Sequence, residues 1–232
     1  YKFAADDTYP SSEKLYDWEL GYQYTAPRLS LGVNLYYMKY KDQLVPTGMV
    51  NDDSNALNTN VPDSYRRGVE LSASWRATGW FTVGANATFS QNRIESYVDA
   101  LKDSPTYGKE LGDMTIAYSP DVIANAFLNF HHRGFEAVFH TQHVGKQYFT
   151  NNENDALSLD AYCVTNLNLA YTFRTRSARS VRLGLLINNL FNAEYESNGY
   201  GYSYMDTWSG PAPVRIDEAY YFPQAPLNVL AN

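Results

Sequence analysis

The segment Leu29-Ser30-Leu31-Gly32-Val33-Asn34-Leu35-Tyr36-Tyr37 alternates between apolar residues and mostly small polar ones. Leucine, valine and tyrosine fill its odd positions, whereas serine, glycine and asparagine fill the even positions before Tyr36. Successive side chains of a β-strand point to opposite faces of the sheet. This period of two therefore predicts a strand with one apolar face and one polar face.

The same alternation recurs along the chain. It is clear in 16–24, 68–76, 81–90 and 165–173, and weaker in 121–131, 135–149 and 181–190. With a last run that begins near Leu227, the sequence predicts an all-β, antiparallel fold of about nine strands. Several strands have polar faces of mostly Gly, Ser, Asn and Thr, which suit a wet, enclosed interior better than open solvent. The apolar faces would then meet lipid, as in a transmembrane β-barrel.

Composition narrows the alternatives. No stretch approaches the roughly 18–20 consecutive apolar residues of a membrane helix, which argues against a helical membrane protein. An aromatic content of 16%, with 21 tyrosines, argues against disorder. A net charge of -7 without basic clusters argues against a nucleic-acid partner.

The joins between predicted strands alternate in length. Short joins lie at 26–28, 77–79, 132–134 and 174–179, and long joins at 46–63, 98–120, 150–160 and 191–224. Outer-membrane barrels have short turns on the periplasmic rim and long loops outside the cell. Aromatic residues flank the short joins, where a membrane-interface belt is expected. These predicted interface aromatics are Tyr22, Tyr24, Trp75, Trp80, Phe81, Phe130, Phe135, Tyr171 and Phe173.

Three motifs carry a family resemblance. Asn189-Leu190-Phe191-Asn192-Ala193-Glu194-Tyr195 resembles the N-L-F-(D/N)-x-x-Y signature of the penultimate strand in TonB-dependent outer-membrane receptors. Trp18-Glu19-Leu20-Gly21 resembles their W-E-x-G strand opening. Arg66-Arg67-Gly68-Val69-Glu70-Leu71 resembles their R-x-G-V-E-L strand. The three motifs follow the family's order, and together they span essentially the whole chain.

The resemblance implies that residues 1–232 are the C-terminal part of one plugged barrel domain of about 22 strands. An odd strand count, a start that looks mid-loop and a short final strand fit that expectation, because closed bacterial barrels have even strand numbers. The plug domain, the earlier strands and the end of the last strand would then lie outside this chain. The implied function is TonB-dependent import of an iron–siderophore, haem or, less often, cobalamin or a glycan across the outer membrane of a Gram-negative bacterium.

The resemblance also implies partners and a ligand surface. The partners would be periplasmic TonB, the receptor's own plug, lipid and lipopolysaccharide, and a metal chelate or similar ligand; no cofactor is implied. Tyrosine and arginine near the outer strand ends and in the last long loop could grip anionic oxygens or stack on ligand rings. An outer interface belt and packing within the loops are the alternative roles. The candidates are Tyr65, Arg66, Arg93, Tyr148, Tyr200, Tyr202, Tyr204 and Trp208.

Other chemistry has weaker support in the sequence. His131 and His132 are adjacent and would point to opposite faces, and His140 is expected opposite about residue 126, so a four-histidine metal site is not predicted. The runs 51–55 and 151–155 carry oxygen ligands but lack the pattern of a calcium loop, and are predicted to be solvated loop tips. Ser158 and His143 lack a hydrolase motif. Cys163 falls in the apolar register and is predicted to face lipid.

Rival hypotheses remain open at this level. A passive porin or a surface-binding, adhesive barrel would have the same strands, and an outer-membrane enzyme would add a catalytic pair at the outer rim. A soluble β-sandwich would pack its apolar faces against each other. We predict no catalytic residues and no metal site.

Overall fold

A computed structural model of the protein describes residues 10–50, 56–100, 106–176 and 179–231. In this part of the chain, fourteen strands and one short 3-10 helix form. The strands are β1 (Lys14–Ala26), β2 (Leu29–Val50), β3 (Ala56–Arg76), β4 (Phe81–Val98), β5 (Glu110–Thr115), β6 (Val122–His132), β7 (Phe135–Val144), β8 (Gln147–Tyr148), β9 (Ser158–Leu159), β10 (Tyr162–Phe173), β11 (Val181–Asn188), β12 (Glu196–Asp206), β13 (Val214–Pro223) and β14 (Asn228–Ala231). The 3-10 helix is Asp155–Leu157.

One antiparallel sheet contains most of these strands. Its order is β1-β2-β3-β4-β6-β7-β10-β11-β14, and β5 pairs with β4 where β4 extends beyond β6. Each strand of this order lies beside the next one in the sequence once β5 and the two separate pairs, β8–β9 and β12–β13, are set aside. The predicted all-β antiparallel fold of about nine main strands is confirmed.

The sheet has one apolar face that runs unbroken across it. The pairing register connects Leu20 with Leu35, Val69 and Phe89 in one row across four strands. Leu20 is 71% exposed and Phe89 is 50% exposed. These side chains do not pack against a second sheet, as they would in a soluble sandwich. The face is therefore an extended apolar surface on the outside of the fold.

The opposite face is polar. The neighbouring register connects Gly21 with Asn34, Glu70 and Thr88 across the same strands. The Asn34 amide nitrogen donates to the carboxylates of Glu19 and Glu70, each at 3.2 Å. Side chains on this face thus bond to one another along the sheet instead of packing in a dry core.

The two ends of the sheet differ. The turn rim carries the short joins 27–28, 77–80 and 133–134 and the join between β10 and β11, close to their predicted positions. At the tightest of these, Arg133 and Gly134 have φ of 49° and 85°, the pair of positive values that a two-residue hairpin turn requires. The opposite end, the loop rim, carries the longer connections.

The predicted extent of the long loops is wrong at two places. Strands β2 and β3 continue through most of 46–63 and pair as far as Val50 and Ala56. Segment 191–224 contains a second hairpin, in which β12 pairs with β13 from Glu196–Pro223 to Asp206–Val214. The strands in both places are longer than their alternating apolar patterns. Backbone hydrogen bonds between strands form without regard to which side chains the strands carry.

Buried apolar side chains collect near the loop rim. One cluster contains Val45, Val61, Ile94, Tyr97 and Ile116. Asp42 and Ser96 adopt φ of 55° and 54° just before Gln43 and Tyr97, which are buried. A residue with positive φ interrupts the alternation of side chains between the two faces of a strand. The side chains that follow it can then point to the face that the loops cover. None of the described residues belongs to a helix that is long and apolar enough to cross a membrane.

Candidate functional site

The β12–β13 hairpin displays a row of stacked rings on one face. The rings of Tyr200 and Tyr220 are 5.0 Å apart, and Tyr202 lies 6.3 Å from Tyr220. Tyr204 continues the row and stacks on Trp208 at 6.2 Å, with their planes within 4°. We call Tyr200, Tyr202, Tyr204, Trp208 and Tyr220 the aromatic row. The structure therefore brings together four of the eight predicted ligand residues and adds Tyr220.

A single carboxylate lies within the aromatic row. Glu218 accepts hydrogen bonds from the hydroxyl groups of Tyr202 at 2.6 Å, Tyr220 at 2.9 Å and Tyr204 at 3.3 Å. The bond from Tyr202, followed by that from Tyr220, lowers the pKa of the Glu218 carboxyl. The same bond raises the pKa of the Tyr202 hydroxyl. At neutral pH the row thus contains a carboxylate and neutral phenols.

The other face of the hairpin docks on the loop after β8. Phe149, Leu157 and Leu159 form a buried cluster, and Ala219 packs against it. Gly199 and Gly201 lie over the Phe149 ring so closely that a β-carbon at either position would come within 2.9 Å of a ring carbon. The alternation of glycine with tyrosine in β12 therefore gives one flat face that packs and one face that displays rings.

The loop 149–155 is anchored inside the fold. Asn151 is fully buried: its side-chain oxygen accepts from the Ala117 amide at 2.7 Å, and its nitrogen donates to the Pro46 carbonyl at 2.6 Å. Asn154 donates to Asp217 of the hairpin at 2.8 Å. The prediction that 151–155 is a solvated loop tip is wrong for Asn151, because its amide completes backbone hydrogen bonds far away in sequence. It holds for Asp155, which is 80% exposed. The similar run 51–55 lies outside the described residues.

Arg93, a predicted ligand residue, is engaged by this loop. Its guanidinium forms an ion pair with Glu153. Glu153 also accepts from the Thr115 backbone amide at 3.0 Å and from the Thr115 hydroxyl at 2.5 Å. Burial alone would raise the pKa of the Glu153 carboxyl, but the Thr115 bonds and the Arg93 charge outweigh it and lower that pKa.

Glu153→Gln is expected to raise the hydrogen-exchange rate of the Thr115 amide at pH 7 about fivefold, because the ion pair that holds the loop is lost while an acceptor remains. Since the pKa of Glu153 is lowered by folding, its stabilisation is present above the unfolded pKa and is lost as pH falls through the folded pKa. Exchange corrected for intrinsic rates should therefore converge between wild type and variant in acid. Asp155→Asn is the matched control, because Asp155 is 80% exposed and pairs only at the surface.

Tyr65 and Arg66 lie on opposite faces of β3. Tyr65 shares the apolar face with Tyr37, whose ring lies 6.3 Å away, and Arg67 covers the Tyr65 ring at 5.1 Å. Arg66 points to the polar side and donates to Ser119 at 2.9 Å. Tyr65 therefore lies on the apolar face of the sheet among other aromatic rings, away from the aromatic row.

Tyr148 is separate from both groups. Lys146 lies over its ring at 4.9 Å, and its hydroxyl donates to Asp155 at 3.4 Å. No described contact joins Tyr148 to the aromatic row. Four of the eight predicted ligand residues therefore lie away from the aromatic row, each in a different environment. They are Tyr65, Arg66, Arg93 and Tyr148.

Aromatic residues also gather at the turn rim, where the sequence predicts a membrane interface. Trp80, Phe81 and Phe130 form a mutual cluster with centroid distances of 4.6–6.2 Å, and Tyr171 stacks on Phe173 at 5.9 Å. Further members are solvent-exposed in this chain; they are Tyr22, Tyr24, Trp75 and Phe135. A matching outer row of Tyr16, Trp18, Tyr37 and Tyr65 lies nearer the loop rim, with successive centroids 5.8–6.3 Å apart.

A cleft of about 670 Å³ lies on the polar face of the first four strands. Gly21, Asn34, Glu70, Ser72 and Asn86 are among its lining residues. Its floor carries carboxylate and amide groups at the middle height of the sheet. This cleft can receive a polar surface of another protein segment.

The remaining candidates do not converge. His140 lies opposite Phe127, one position from that expected, and His131 faces Glu136 at 3.5 Å. In the described parts of the chain, no three His, Cys, Asp or Glu side chains are grouped to hold a metal ion. Ser158 donates to the Asp155 carbonyl at 2.8 Å, whereas His143 pairs with the exposed Cys163 across β7 and β10.

Comparison with known proteins identifies the family. The model of the family described as "TonB dependent receptor-like, beta-barrel" matches residues 5–190. The chain belongs to this family. The pesticin receptor of Yersinia pestis is 23% identical over 189 residues, covering 82% of this chain and 26% of that protein. The chain thus spans about a quarter of the length of the curated relatives it matches.

Solved TonB-dependent receptors share the fold of this barrel chain. The ferric yersiniabactin uptake receptor of Yersinia pestis aligns with 90% of this chain and 30% of its own, at 19% identity and a TM-score of 0.59. The siderophore receptor PiuA of Acinetobacter baumannii aligns with 94% of this chain and 28% of its own, at 12% identity and a TM-score of 0.65. The resemblance of the motifs to this family is confirmed, and so is the expectation of a fragment of a transmembrane antiparallel barrel.

Three structural features of this receptor barrel were missed from sequence: the pairing of β12 with β13, the carboxylate of Glu218 and the anchor Asn151. The first had a signal, since Tyr200, Tyr202 and Tyr204 alternate with small residues opposite Ile216, Glu218 and Tyr220. No sequence pattern indicated the role of Asn151, because its hydrogen-bond partners are distant in sequence.

Proposed function

We propose that the complete receptor imports a bulky, scarce nutrient, an iron–siderophore or haem, across the outer membrane of a Gram-negative bacterium, with TonB supplying the force. The observation that carries this proposal is the two-faced sheet of a family whose members reside in that membrane. Relatives in the family include a ferric yersiniabactin uptake receptor and a siderophore receptor, which supports an iron chelate as the ligand. We infer binding and transport rather than catalysis.

The apolar face would contact lipid between two aromatic belts. The turn-rim aromatics would lie at the periplasmic interface, and Tyr16, Trp18, Tyr37 and Tyr65 at the outer one. Beyond the outer belt, Lys14 and Lys41 are paired across β1 and β2. The Lys41 ammonium group forms an ion pair with Asp63, so the Lys14 ammonium group is the one that suits a phosphate group of lipopolysaccharide.

The polar face would line the lumen and hold the plug. The cleft floored by Asn34 and Glu70 offers hydrogen-bond acceptors to a plug surface that carries donors. In this arrangement the plug belongs to the same protein, as part of the sequence beyond the C-terminal barrel portion that we assign to residues 1–232. TonB would act on that plug from the periplasmic side.

The aromatic row would be one part of the outer capture surface. Rigid rings among glycine and serine give contact area with little loss of side-chain entropy, which suits ligand capture. Arg66 and Tyr148 remain further candidates at the loop rim, and Arg93 would act indirectly by holding the loop that supports the hairpin.

Growth of a deletion strain on single iron, haem, cobalamin or glycan sources tests this function. Deletion of the receptor gene should abolish growth on one source, the intact gene should restore it, and a tonB deletion should show the same defect. Normal growth on every source under starvation would contradict import. Uptake that survives loss of TonB would instead favour a passive or adhesive barrel.

A further inference from the structure

We infer that the aromatic row receives a positively charged group, an alkylammonium or guanidinium, and that Glu218 is its counter-ion. This inference deepens the proposed import function and rests on it, because it assigns the charge of the ligand portion that reaches the hairpin. A receptor that captures polyanionic chelates would instead present basic side chains on this surface.

The geometry of the rings supports a cation. Tyr200 and Tyr220 are stacked within 15° of parallel, and Tyr202 and Tyr220 within 21°. The hairpin face that carries these rings is turned away from the buried cluster of Phe149 and Leu157. Its outermost rings stay accessible to a ligand: Tyr200, Tyr220 and Trp208 are 46%, 44% and 74% exposed. A cation within about 6 Å of a ring centroid is attracted by the electron-rich face of the ring.

Hydrogen bonding strengthens this attraction. Tyr202, Tyr204 and Tyr220 all donate to Glu218, so each phenol shares electron density from the carboxylate. The carboxylate has about four lone-pair sites, and three bonds leave one side of its negative charge to face a ligand cation. The row therefore combines ring faces and a negative charge, which is the combination that binds ammonium groups.

The charges of the hairpin also favour a cationic ligand. Its one basic residue, Arg215, lies on the opposite face and is bonded to Asp217 at 2.9 Å and to Ser203 at 3.0 Å. Asp206, on the ring face, adds a second carboxylate beside Trp208. An anionic chelate would meet repulsion here without a compensating cation.

The test compares choline with 3,3-dimethyl-1-butanol, its neutral analogue of the same shape, on the complete receptor purified in detergent. Saturation-transfer NMR should show choline binding in the millimolar range and at least fivefold weaker binding of the alcohol. Glu218→Gln keeps an oxygen acceptor but removes the charge, and should weaken choline binding at least fivefold. Glu196→Gln, an exposed carboxylate at the base of the same hairpin, should leave it unchanged.

Two further measurements keep the outcome interpretable. Tyr220→Leu keeps Glu218 but removes a ring, and should also weaken choline binding. Trypsin cleavage after Arg215 reports whether each variant retains the docked hairpin. Equal binding of choline and the alcohol, no choline binding at 50 mM, or unchanged binding by a folded Glu218→Gln variant would each overturn the inference.

The result also separates the two proposals. If gene deletion abolishes uptake but choline does not bind, import stands and the counter-ion role of Glu218 falls. If choline binds as expected but deletion changes no uptake, the cation site stands and the import function is overturned.

Discussion

Replacing Asn189 by alanine is expected to lower the free energy of unfolding of the complete receptor by about 3 kcal/mol. Asn189 follows β11 and begins the N-L-F-N-A-E-Y motif. It is 3% exposed, so its side-chain amide is desolvated and depends on its protein partners.

The side chain of Asn189 bonds across the turn after β11, beside a backbone bond from the Asn192 amide to the Asn189 carbonyl at 2.9 Å. Its oxygen accepts from the Ala193 amide at 2.8 Å, and its nitrogen donates to the carbonyls of Ala193 at 2.9 Å and Ala225 at 3.3 Å. Alanine would leave these backbone groups unpaired, at about 1–3 kcal/mol for each one that stays buried.

The backbone at Asn189 adds to this effect. Its φ is 51°, a left-handed value that asparagine tolerates better than alanine. Asn192 in the same motif has φ of 52°, and its side chain accepts from the Leu227 amide at 2.9 Å just before β14. The motif therefore sets the path of the chain from β11 to β14.

Urea-induced unfolding in detergent, followed by the electrophoretic shift between folded and unfolded barrel, measures this loss. Asn198→Ala is the control, because Asn198 is exposed and its side chain bonds only to the next amide. The control should stay within about 0.5 kcal/mol of wild type. A loss below about 1 kcal/mol for Asn189→Ala would show that water or a rearranged turn replaces these bonds.

The strands of the main sheet were predictable because their signal is local. The alternation in 29–37 defines both faces without knowledge of any partner strand, and short joins follow from the ends of the alternating runs. The same rule places Tyr65 on the apolar face. Tyr65 has the parity of Val69 and Leu71, which lie on the apolar face.

The contacts of the loop rim were not predictable in this way. Asn151 reaches Pro46, 105 positions earlier in the sequence, and Glu153 reaches Arg93 and Thr115. Such bonds depend on how several loops fold together, and no pattern within 150–155 distinguishes an anchored asparagine from a solvated one. Sequence composition therefore identified the tyrosines of the aromatic row but could not assign the residues that support the hairpin beneath them.

Gly68→Val is expected to cost about 3 kcal/mol of stability or to prevent assembly of the barrel. A β-carbon at Gly68 would overlap the carbonyl oxygen of Phe89 and lie 2.6 Å from the Tyr36 hydroxyl oxygen. The tyrosine could move, but the Phe89 carbonyl is part of the neighbouring strand. Relief would require β3 and β4 to separate where they form their ladder.

This effect explains the glycine in the Arg66–Leu71 motif. The position lets the Tyr36 side chain of β2 lie across β3 on the polar face. Gly21→Ala is the matched control on the same face, because its β-carbon would lie 3.4 Å from the Asn34 side-chain oxygen, in ordinary contact. The amount of folded receptor in outer membranes and its urea midpoint measure both variants. Equal values for Gly68→Val and Gly21→Ala would mean that the strands tolerate the added atoms, and that close approach of Tyr36 and Phe89 does not select glycine here.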